Sequence, residues 1–316
     1  MRLSNRLSKR SETFAQLAQA MQGVHNFMVT PFHPNLALDA EGLLQNIRHH
    51  VKAKAQDMTI VVGGGMGELL ALDIHEHRSL AEAAVAATQG LLPVVVGVRG
   101  GYRLAMQLAR SAERAGADAI LLLAPPHGSE SVEGAYRYMR EVADSVNIGV
   151  LIALTHGFSG SIESYWPSLI ERLAQLPNVV GFEDSSGDVQ IGRALGAEVL
   201  RRFLWVARGE RHALQALPAG ARAYTAAVAT LVPNACHEFW KLGIAGESAA
   251  MTEVLKSRID PVAQIRGLKP GYRSSAVKVA LETLGRSGGA VRPPEARVTA
   301  DDREHIAAIV RKNAEH

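Results

Sequence analysis

Short apolar runs alternate with longer stretches of helical periodicity through the middle of the chain. The runs are Phe27–Thr30, Met58–Gly63, Pro93–Val98, Ala119–Ala124, Gly149–Leu154, Val179–Phe182, Leu204–Ala207 and Ala223–Ala227. Most are continuous rather than alternating, the pattern of parallel strands covered by helices on both faces. Between them lie segments such as Ile74–Ala87 and Arg103–Ala115, the latter followed by Gly116 in the position of a C-terminal cap. Eight strand-then-helix units predict an α/β fold, a (β/α)8 TIM barrel. A doubly wound open sheet is the alternative. It has fewer strands and often a Gly-rich turn after the first, which Thr30-Pro31-Phe32 is not.

The pattern divides the chain into an N-terminal helical extension (1–22, with a helix over Glu12–Met21), a barrel (23–245) and a C-terminal helical region (246–316). After the last strand the helical stretches are Ala235–Leu242, Glu247–Ser257, Ala276–Leu284 and Ala300–Lys312. Pro270-Gly271 and Gly288–Pro294 interrupt them. Composition adds exclusions. With 47% hydrophobic and 21% charged residues, a core is available and global disorder is excluded. A net charge of only +3 gives no reason to expect nucleic acid or a membrane surface as partner, and no apolar run is long enough for a membrane span. The single cysteine, Cys236, rules out an intrachain disulfide and points to a reducing compartment, the cytoplasm. Arg2, Arg6, Lys9 and Arg10 faintly suggest a transit peptide. The plainer reading is a basic start leading into the first helix.

A set of strand-end pieces then becomes informative in its order and spacing. These are Val29-Thr30-Pro31-Phe32, Gly64-Gly65-Met66-Gly67-Glu68, Pro93–Val98, Ala115-Gly116-Ala117-Asp118-Ala119, Pro177–Asp188 and Val291-Arg292-Pro293-Pro294. Together they resemble the dihydrodipicolinate synthase and N-acetylneuraminate lyase family of pyruvate-handling aldolases, from about Gly23 to the C-terminus. The resemblance implies a (β/α)8 barrel with a C-terminal helical region, assembled as a homo-oligomer, a tetramer built as a dimer of dimers. It implies a small carboxylate or keto acid as ligand and requires no cofactor.

The family's chemistry does not transfer in the same way. Its members form a Schiff base from a lysine at the end of the sixth strand. In Gly181-Phe182-Glu183-Asp184-Ser185-Ser186-Gly187 that position is Glu183, and a carboxylate cannot form an imine. The family's fifth-strand tyrosine aligns with Ala153. Its paired hydroxyls after the second strand align with Gly65 and Met66, and its tyrosine after the fourth strand aligns with His127. The synthase branch's carboxylate-gripping arginine aligns with Phe158. The lysines outside the motif, such as Lys241, Lys269 and Lys278, fall in predicted helices or the C-terminal region.

Two classes of function remain. One is a divergent lyase or hydratase acting without a Schiff base, with Glu183 as general base and His127 as proton shuttle. Thr30, Gly65, Met66, His156, Arg208 and Thr225 would then line the substrate site, with the glycine-rich loop's backbone N–H groups holding a carboxylate. The other is a catalytically silent barrel that binds a metabolite or serves as a structural subunit. Glu183 would then be an ion-pair residue held by Arg208 or Arg211. His127, His156 and Glu183 have the residue types of a two-His, one-carboxylate site, but without a local spacing signature no metal is assigned. His49, His50, His75 and His77 are expected to be solvated on helix faces. Glu68 is expected to cap or bond the following helix.

Overall fold

The computed structural model describes residues 13–53, 55–124, 131–154 and 166–314. Eight parallel strands close in sequence order: β1 Gly23–Phe27, β2 Met58–Val62, β3 Val94–Val98, β4 Ala119–Leu123, β5 Gly149–Leu154, β6 Val179–Asp184, β7 Leu204–Arg208 and β8 Ala223–Ala226. A helix follows each strand, so the predicted (β/α)8 barrel is the observed one. Nearly every strand residue is buried, because the inner face packs into the barrel and the outer face meets the helices. On the outer face of β6, Phe182 stacks against Phe203 and Trp205, with centroids 5.8 and 6.3 Å away.

Two strands differ instructively from expectation. The first lies at Gly23–Phe27, not at Phe27–Thr30. Its His25 and Asn26 disguise it as polar, yet both are buried and partnered. The His25 ring donates to the Met21 carbonyl (2.8 Å), and Asn26 Nδ2 meets the His50 ring (3.3 Å). The sixth strand runs two residues further than predicted and so carries Glu183 and Asp184 within the sheet.

Residues 13–20 are helical, and Phe14 and Ala18 are buried in the core cluster. Leu17 packs against the start of β5 at Gly149, so this helix closes the N-terminal end of the barrel. After the helix Pro233–Ile244, the C-terminal region forms Ser248–Val254, a wider turn at Leu255–Ile259, Asp260–Ala263, Ser275–Thr283 and Ala300–Asn313. No helix among the described residues is long and apolar enough to cross a membrane.

The histidine expectation needs correction: His50 and His77 are fully buried. His77 bonds the Gly97 carbonyl (2.9 Å), and burial lowers the His50 pKa to about 3 and the His25 pKa to about 4. His49 is half-buried beside Arg286, and His75 alone of the four is exposed.

Glu68 also departs from expectation. It does not cap the next helix, which Asp73 caps with a capping box. Glu68 instead meets the buried Lys278 ammonium at 2.5 Å and accepts from the Arg292 amide at 2.9 Å. Lys278 also donates to the Ala290 carbonyl and lies 4.5 Å from the Phe32 ring centroid. Burial pulls its pKa down, and Glu68 opposes that shift. This pair fastens the loop after β2 to the C-terminal region.

A buried ion pair is most costly when one half is removed. Lys278→Met should therefore destabilise the protein by about 3–5 kcal/mol in urea unfolding. Adding Glu68→Gln to that variant should recover part of the loss, because no charge is then left unpaired.

Candidate active site

The carboxyl ends of the strands surround a cavity of about 370 Å³. Its floor contains Leu123, Ala153 and Glu183, which occupy one interior row across β4, β5 and β6. A register shift between Val150 and Leu151 sets this alignment and turns Glu183 inward. Because residue 153 is only alanine, open space remains beside the carboxylate.

Glu183 is 5% exposed. Burial raises its pKa, the Arg208 charge opposes that, and neighbouring Asp184 adds to it. Arg208 Nε lies 3.6 Å from Glu183 Oε1, a long contact, and the Arg208 guanidinium also donates to Ser185 Oγ (3.1 Å). Arg211 turns away and pairs with Asp260 at 3.5 Å. Asp184 faces outward. Its carboxylate accepts from Ser186 Oγ (2.6 Å), the Ser186 amide (2.9 Å) and the Trp205 indole N–H (3.1 Å). The adjacent carboxylates therefore have different environments: Asp184 is saturated by donors and Glu183 is nearly free of them.

The second wall is the loop after β2. Gly64 O accepts from the Gly67 amide (3.0 Å), and buried Thr30 donates its hydroxyl to the Gly67 carbonyl (2.7 Å). Gly65 and Met66 line the cavity, and their amides have no acceptor among the described residues. The loop lies against β3 so closely that a β-carbon on Gly97 would fall 1.9 Å from the Gly63 carbonyl oxygen. Thr225 also lines the cavity, its hydroxyl accepting from the Gly209 amide (3.0 Å).

Of the residues proposed from sequence, Glu183, Gly65, Met66, Arg208 and Thr225 surround one space. Thr30 does not line it and braces the loop from behind. His127, His156 and Phe158 lie outside the described residues. Three lining residues had no sequence signal: Glu210, in the first turn after β7, and Arg266 and Arg273 from the C-terminal region. Arg273 donates to the Gly65 carbonyl (2.6 Å), and Arg266 contacts the Met66 sulfur (3.6 Å). Burial raises the Glu210 pKa, against the pull of its own amide and of Arg266. No described lysine lines the cavity.

A parallel barrel with an ionisable pocket at the carboxyl ends of its strands has the architecture of the TIM-barrel enzymes. The chain belongs to the dihydrodipicolinate synthetase family, whose model matches residues 20–313. It is 29% identical over 294 residues to a probable 5-dehydro-4-deoxyglucarate dehydratase of Acidovorax ebreus, covering 92% of this chain and 95% of that one. It is 31% identical to the protein of the same name from Rhizobium meliloti, covering 91% and 94%. The fold is similar to that of dihydrodipicolinate synthase from Oceanobacillus iheyensis, with a TM-score of 0.83 at 22% identity, covering 95% of this chain and 98% of that one.

Two outcomes follow from this geometry. Gly97→Ala should destabilise the protein by about 1–3 kcal/mol, because only backbone shifts can relieve the overlap; the midpoint of urea unfolding measures this. For Glu183, the native state holds its proton at pH values where the unfolded chain has released it. Wild-type stability should therefore fall as pH rises from the ordinary value of 4.5 through the raised native value. Glu183→Gln removes that loss, so its melting-temperature advantage should widen across the same window and then stay constant.

Proposed function

We propose that this chain is a lyase of its family that acts on a small oxo or hydroxy acid by proton transfer through Glu183, without an imine. The observation that carries this reading is a buried carboxylate facing the cavity, with one long contact at 3.6 Å and a raised pKa. Such a group is poised as a general base nearer neutral pH than an ordinary glutamate. A silent barrel would be expected to hold the residue in a saturated pair, as Asp184 is held.

In this reading Glu183 replaces the family's Schiff-base lysine, and the absence of lysine among the described lining residues supports it. The substrate carboxylate binds the free amides of Gly65 and Met66. Glu183 takes a proton from the carbon beside the substrate's carbonyl, and the enolate charge falls toward the loop amides and Arg208. A β-hydroxyl then leaves with a proton from an acid, the role assigned to His127 by its place after the fourth strand. The names of the curated relatives, dehydratases of a glucarate derivative, agree with this class of reaction.

Borohydride reduction with pyruvate, read by intact-protein mass, tests the central point. The wild-type protein should gain no adduct, and a wild-type adduct would overturn the imine-free mechanism. Proton-for-deuterium exchange at C3 of a 2-oxo acid, followed by NMR, tests the base directly. Glu183→Gln should slow the protein-dependent exchange by about 10²–10⁴-fold. The wild-type rate should rise with pH as Glu183 ionises.

A further inference from the structure

The loop after β2 contains a peptide group that its own turn leaves unsecured. Gly64 to Gly67 make a reverse turn, closed by the Gly67 amide on the Gly64 carbonyl (3.0 Å). The central peptide of that turn joins Gly65 to Met66, and the closing bond uses neither its carbonyl nor its N–H. Turn classes differ in the rotation of this central unit. Neither Gly65 nor Met66 has a positive φ, so the turn avoids the class that needs a left-handed third residue. Glycine at position 65 still leaves left-handed conformations open that a side chain would close.

An arginine from far along the chain holds this peptide. Exposed Arg273, just before the helix Ser275–Thr283, donates from Nη2 to the Gly65 carbonyl at 2.6 Å, across 208 residues of sequence. Such a bond is charge-assisted. The Gly65–Met66 peptide is planar and trans, so its N–H points opposite to its C=O. A cation that holds the carbonyl on one side therefore presents the Met66 N–H on the other, and polarises it as a donor. That N–H has no acceptor among the described residues, and both Gly65 and Met66 line the cavity.

We propose that Arg273 is a positioning residue: it locks the Gly65–Met66 peptide in the orientation that offers the Met66 N–H to the substrate's carboxylate. This role rests on the reading, given above, that the loop amides hold that carboxylate. It requires no contact between Arg273 and the ligand. Without Arg273 the peptide samples rotations in which its carbonyl, an acceptor, faces the carboxylate in place of the donor. The competent fraction then shrinks, and the apparent affinity falls in proportion. Among the described residues, a β-carbon on Gly65 would meet only Arg273 Nη2, at 3.8 Å, and the φ of Gly65 lies outside the left-handed region. Alanine can therefore take the observed conformation while losing the alternatives, and so supplies part of the restraint that Arg273 provides.

Calorimetric titration with pyruvate compares wild type, Arg273→Met, Gly65→Ala and the double variant. Arg273→Met should bind pyruvate about tenfold more weakly, as for a competent fraction of about one in ten. Gly65→Ala should tighten binding by about threefold or more in the Arg273→Met background, and by less in wild type, where the peptide is already held. Wild-type affinity in Arg273→Met would overturn the positioning role. So would a Gly65→Ala effect that is equal in both backgrounds, the result expected if Arg273 gripped the carboxylate directly or only supported the fold. Absence of pyruvate binding by wild type would instead overturn the carboxylate reading, and the positioning role with it, so the two failures are distinguishable.

Discussion

The buried pair between Glu68 and Lys278 is the constraint on which the site depends. It joins the loop after β2 to the helix Ser275–Thr283. Arg292 reinforces the same junction, bonding Glu68 through its amide and Glu76 and the Leu36 and Ala71 carbonyls through its guanidinium. The C-terminal region is thereby fixed over the barrel's carboxyl end. Its short turns can then place Arg266 and Arg273 against Met66 and Gly65. Desolvating an ammonium and a carboxylate is costly, and only the close contact and the additional hydrogen bonds offset it. Together with the Arg266, Arg273 and Arg292 contacts, the arrangement holds the region in one docking geometry.

Against this fixed frame the site works by contrast. Asp184 and Glu183 are consecutive, so the strand's two-residue period sends them to opposite faces. The outer face offers Asp184 an indole N–H, an amide and a hydroxyl. The inner face offers Glu183 apolar neighbours and one distant guanidinium. One carboxylate becomes structural and the other is left available for chemistry. A similar economy governs the loop after β2. Its shape comes from the close approach that glycine permits at Gly97 and Gly67 and from the Thr30 hydroxyl, which braces it from behind.

Much of the fold was legible because it rests on local physics. Continuous apolar runs mark strands buried on both faces, and their number and spacing lead to the barrel. The first strand lies several residues before the apolar run Phe27–Thr30, because His25 and Asn26 read as polar. Their partners, Met21 and His50, are supplied by packing. His50 and His77 looked like solvated helix residues for the same reason: a side chain's polarity does not report the carbonyl or ring that will satisfy it. In the site, Glu183 and the glycine-rich loop were visible as departures within a recognisable motif. Glu210, Arg266 and Arg273 were not, since nothing in their spacing relates them to the strand ends they approach.

The sequence by itself determined the order of elements, the barrel they close into and the presence of a carboxylate, Glu183, at the end of the sixth strand. These follow from hydrophobic periodicity and from residue identity, both of which act along the chain. Tertiary structure alone decided how free that carboxylate is, which arginines face it and which polar side chains are buried. Those properties depend on distances between segments far apart in sequence, where burial and electrostatic pairing compete and only the folded geometry sets the balance.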